Sequence, residues 1–82
     1  LNSKKINSRR KLSSLKKGEG GLVIDLEKNS TALHLMEMGI LPGEYILVDT
    51  IAPLGDPMSI KVGAYLLSLR KDEASSVFIE VQ

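Results

Sequence analysis

Apolar positions recur along this chain in short runs with a period of two, and the period changes to three once. Leu22, Ile24 and Leu26 alternate with polar neighbours and predict a first strand over 22–26, with those three side chains on the buried face. Lys28-Asn29-Ser30 then offers helix N-caps, and Ala32, Leu35 and Met38 predict a short helix over Thr31–Met38 that ends at Gly39. Pro42 and Gly43 suit the second and third positions of a type II turn. Glu44 to Ile51 reads as the longest strand, although Ile46, Leu47 and Val48 are consecutive and blur its alternation. Met58, Ile60 and Val62 alternate with Ser59 and Lys61. Tyr65 to Leu69 follows a bend at Gly63-Ala64, with Leu67 and Leu69 inward. Arg70 to Ala74 makes one helical turn, and Val77, Ile79 and Val81 close the domain with Phe78 and Glu80 outward.

Upstream, Leu12 and Leu15 suit a single helical turn that drops two leucines onto a core, and Lys16 to Gly21 reads as a flexible turn leading into the first strand. The six residues Ala52-Pro53-Leu54-Gly55-Asp56-Pro57 join two strands. The prolines fix φ, the glycine admits positive φ, and Asp56 is held extended by the proline after it, so this connection is rigid. Five short strands, tight turns and one inserted helix within 82 residues predict a mainly β fold, a small SH3-like barrel that is closed or nearly closed, since closure reduces the exposed sheet edges of short strands.

Charge divides the chain. Seven of the 11 basic residues lie in the first 17 positions, and the remainder carries four against all 10 acids. Residues 1–11 are read as a flexible basic arm and 12–82 as the barrel domain. The arm has no interleaved aromatic side chain for base stacking, and the acidic body repels phosphate, so no specific nucleic acid is expected. With three aromatic residues in all, a polyproline groove is not expected either. No cysteine is present, which excludes disulfides and thiolate metal sites.

Nothing in the sequence assembles a nucleophile with a base. Gly18 to Gly21 lacks the lysine–hydroxyl ending of a phosphate loop. The chain is not expected to be an enzyme. His34 is the only histidine, and Glu37 lies three residues on along the same helix. This pair is the candidate metal site for iron(II) or another divalent transition metal, short of the three or four ligands that a stable site uses. Protein binding remains. Leu41, Leu47, Leu54, Leu66 and Phe78 fall in turns or where one-face alternation puts a polar residue, and together they are the candidate partner-binding or self-association surface. The plainer reading is that coiled strands use some of them to cap the barrel ends.

Four segments, Leu12 to Gly18, His34 to Gly43, Ala52 to Pro57 and Gly63 to Lys71, resemble the FeoA family in order and spacing. The resemblance spans Leu12 to Val81 and departs from the family pattern at His34, Met38 and Leu66. It implies an SH3-like barrel that serves a bacterial ferrous iron transport system as a cytoplasmic accessory protein. Such a protein would sit at the inner membrane face and dock on the cytosolic GTP-binding part of a FeoB-like transporter. The alternatives are a direct iron(II) sensor or carrier, and a free-standing regulatory domain related to metal-dependent repressors.

Overall fold

A computed structural model describes residues 9–81. Six antiparallel strands form one sheet: β1 (Arg9–Lys11), β2 (Gly20–Leu26), β3 (Tyr45–Ile51), β4 (Met58–Val62), β5 (Tyr65–Leu69) and β6 (Val77–Val81), in the order β1-β6-β2-β3-β4-β5. Helix α1 (Ser30–Glu37) follows β2, the one-turn helix α2 (Lys71–Ala74) follows β5, and Leu12–Ser14 is a 3-10 turn. The sheet wraps one core but stays partly open, because β1 and β5 end the order and do not pair with each other.

The local chemistry explains most of these elements. The Asn29 side chain accepts the Ala32 N–H at 2.7 Å and caps α1, whose Ala32 and Leu35 are buried. Gly39, at φ +102°, ends the helix in the left-handed region. Gly43, at φ +96°, completes the turn in which Glu44 N–H donates to the Leu41 carbonyl. At α2, the Glu73 carboxylate reaches back to the Arg70 N–H at 2.8 Å. Leu12 and Leu15 are buried as the sequence predicts.

Three expectations need correction. First, Arg9–Lys11 is a strand, not an arm, so the sheet has six strands rather than five. Arg9 lies over the Phe78 ring at 4.8 Å. Arg10 donates to the Ser14 carbonyl at 2.7 Å and pairs with Glu19 at 3.6 Å. The rest of the predicted arm, residues 1–8, lies outside the described residues. Second, β2 has the opposite phase at its start. Val23 is buried while Leu22 and Ile24 are half-buried, and a register shift between Val23 and Asp25 makes Ile24 the extra residue that returns Leu26 to the core. Third, Gly20 and Gly21 belong to β2 and are buried.

The apolar triplet in β3 resolves in the same terms. Ile46 and Val48 face the core, Leu47 faces out, and a second register shift between Val48 and Thr50 brings Ile51 back against the core.

Candidate docking surface

The hairpin that joins β3 to β4 is held at several points. Ala52 N–H donates to the Pro57 carbonyl at 3.0 Å, and Gly55 N–H donates to the Ala52 carbonyl at 2.7 Å. Gly55 takes φ +92°. The Asp56 carboxylate accepts the Lys71 N–H at 2.9 Å, which fixes the turn to the start of α2. Leu54 has no part in these bonds. It is 96% exposed, so it stands outward and does not fold back over the barrel end. A rigid turn leaves it little ordering entropy to lose on binding.

On the outer face of the sheet, the register sets Leu47 beside Lys61 and Lys61 beside Leu66, in one row across β3, β4 and β5. Leu66 is 61% exposed and Leu47 is partly exposed. Tyr45 extends this row. A Cβ on Gly20 would stand 2.7 Å from the Tyr45 hydroxyl, so the Tyr45 side chain lies across β2 where a glycine leaves room. A hollow of about 380 Å³ opens here, lined by Glu44, Tyr45, Leu47, Lys61 and Gly63. Lys61 makes no ion pair among the described residues and is a lone cation in an apolar row.

Two of the leucines singled out from sequence therefore share one row, on either side of Lys61, and the others lie apart. Leu54 is at the hairpin tip. Leu41 is exposed in the turn after α1. Phe78 is half-buried beneath Arg9, so one ring face is already covered. Sequence reasoning passed over Leu33 and Met36. They stand on the exposed side of α1 and, with Leu26, Ala32 and Pro42, line a groove of about 450 Å³ rimmed by Asp25 and Glu27. Their spacing of three, on the side of the helix away from Leu35, was a usable signal, since a helix apolar on both sides has two surfaces to cover.

His34 and Glu37 are both exposed, with Nδ1 4.0 Å from Oε1. No group of three or more His, Asp or Glu side chains that could hold a metal ion occurs among the described residues. No helix among them is long and apolar enough to cross a membrane.

A small, mainly β barrel of six antiparallel strands with one short inserted helix belongs to the class of SH3-like domains. Residues 10–81 match the FeoA domain, and the chain belongs to that family. It is 31% identical over 72 residues to an Fe(2+) transport protein A/Fe(2+) transporter FeoB fusion protein of Porphyromonas gingivalis; the match takes in 87% of this chain and 8% of that one. In three dimensions it resembles a FeoA-like protein from Clostridium acetobutylicum, with a TM-score of 0.85 and 33% identity over 92% of this chain and 88% of the other. A zinc complex of FeoA from Stenotrophomonas maltophilia, described as a procaryotic SH3 domain protein, gives a TM-score of 0.76 and 25% identity over 87% and 93% of the two chains. The family is associated with ferrous iron transport.

Proposed function

We propose that this chain is a cytoplasmic accessory protein that docks on the cytosolic GTP-binding part of a FeoB-like ferrous iron transporter and acts by binding, without chemistry of its own. The Porphyromonas gingivalis relative carries the reading, because there a matching domain and a transporter share one polypeptide. A covalent link holds two partners at millimolar effective concentration, which serves domains that act on each other. In the present chain, Leu54 and the Leu47–Lys61–Leu66 row supply the contact.

Burying Leu54 in a partner contributes about 1.5–3 kcal/mol, so Leu54→Glu should weaken capture of the transporter from intact membranes by ~10- to 100-fold. The fold should not notice, since a fully exposed position changes stability by about 0.5 kcal/mol or less. Equal capture by parent and variant, or no capture by the parent, refutes the reading. A second reading, direct iron(II) binding, rests on the His34–Glu37 pair. An anoxic iron(II) titration separates the two, and a flat isotherm for the parent chain ends the second.

A further inference from the structure

The two edges of the sheet are built differently. β1 is three residues long, and all three are charged. β5 runs for five residues, Tyr65-Leu66-Leu67-Ser68-Leu69, with no charge, no proline and an unbroken register against β4. Short charged strands, edge prolines and bulges are the usual guards against edge-to-edge pairing. β1 has such a guard and β5 has none.

The free side of β5 is also chemically open. In an antiparallel ladder, alternate residues direct their N–H and C=O groups to opposite sides, so part of the β5 backbone points away from β4. Among the described residues, no backbone or side-chain hydrogen bond from outside the β4–β5 ladder reaches positions 65–69. Tyr65 is 66% exposed and Leu66 is 61% exposed beside these groups.

We propose that β5 is a self-association edge, at which a second copy of this chain adds its own β5 antiparallel about a two-fold axis through Leu67. The sequence is complementary to itself in that register. Tyr65 meets Leu69 of the second copy, Leu66 meets Ser68, and Leu67 meets its own counterpart. No like charges face each other, and each Leu66–Ser68 pair lies on the outer face, continuing the Leu47–Lys61–Leu66 row. A closed two-fold pairing uses both free edges at once and leaves only the charged β1 edges at the ends of a joined sheet. One five-residue strand pair falls below the ~1,200 Å² that stable dimers bury, so the dissociation constant should be on the order of 10⁻⁴ M. This pairing does not depend on the transporter reading.

Sedimentation velocity on the whole chain tests it, over a range from roughly 10 μM to 1 mM that brackets the expected constant. The weight-average coefficient should climb from monomer to dimer. The double variants L66K/S68K and L66E/S68E each set like charges across the axis twice, at exposed positions, and each should stay monomeric with an unchanged far-UV spectrum. An equimolar mixture of the two should recover the dimer, because every facing pair is then of opposite charge. L33K, on the exposed side of α1, should associate like the parent. Should a double variant misfold, amide shifts of the parent still decide: concentration-dependent changes centred on 65–69 support the pairing. A monomer throughout, no recovery in the mixture, loss of association in L33K, or shifts centred on α1 would overturn it.

Discussion

Substituting Gly21 by alanine sets two effects of opposite sign against each other, and the structure decides between them. Removing a glycine from an extended strand lowers the entropy of the unfolded chain and stabilises by about 0.4–1 kcal/mol where the new side chain fits. At Gly21 it does not fit. A Cβ there would run into the Glu80 carbonyl oxygen and stand 2.8 Å from the Glu80 carbonyl carbon and from Ile79 Cγ2. Carbon atoms pack at about 3.5–4.0 Å, so the overlap approaches one ångström. Two of the three offending atoms are backbone, in the strand that β2 pairs along most of its length, and no rotamer change relieves them. Overpacking of this kind costs about 3 kcal/mol, and the entropy term returns less than 1, leaving a loss of about 2 kcal/mol. For a domain of this size that lowers the melting temperature by ~8–16 °C. Gly39→Ala is the informative control. Gly39 sits at φ +102° in open space, so its substitution costs only the left-handed strain of about 1 kcal/mol. Thermal melts of the three proteins, followed by far-UV circular dichroism, should rank parent, Gly39→Ala, Gly21→Ala in falling stability. A Gly21→Ala protein as stable as the parent, or more stable than Gly39→Ala, would refute the steric argument.

Two further substitutions probe the elements that position the surface. Asn29→Ala removes the only side-chain cap of α1 and should cost about 1 kcal/mol in urea unfolding with an unchanged m-value. Asp56→Ala removes the acceptor of the Lys71 N–H and should cost about 1–2 kcal/mol; in amide exchange Lys71 should lose protection while β4 keeps its own.

The parts of this fold that were legible in sequence are those set by neighbours in the chain. Leu12 and Leu15, Ala32 and Leu35, the Gly39 stop and the Pro42-Gly43 turn all follow from spacing and local conformational preference, and all stand as read. Pairing between distant segments was not legible. β1 carries no apolar pattern, because Arg9 and Arg10 find their partners in Phe78, Ser14 and Glu19 rather than in the core. Gly20 and Gly21 look like a turn in sequence. Their role is to let Tyr45 and the β6 backbone come close, which depends on residues far along the chain, Tyr45 for Gly20 and Glu80 for Gly21. The bulge at Ile24 inverts the face of half a strand without any proline or glycine to mark it. The surface divides in the same way. Leu47 and Leu66 stand out singly as apolar residues at outward positions, but their alignment in one row on either side of Lys61 is a property of register.

The pairing of β1 with β6 has a consequence for how such a domain is joined to others. Arg9 and Glu80 face each other across a single ladder, so the backbone passes into the barrel and out of it about 5 Å apart. A domain with one shared doorway can be spliced into a longer polypeptide, or cut free of it, without turning either piece around. The same proximity means that a few residues would suffice to join Val81 back to Arg9. The ring so formed could be reopened at the Gly63-Ala64 bend with every strand keeping its neighbours, and the hairpin that carries Leu54 would be untouched.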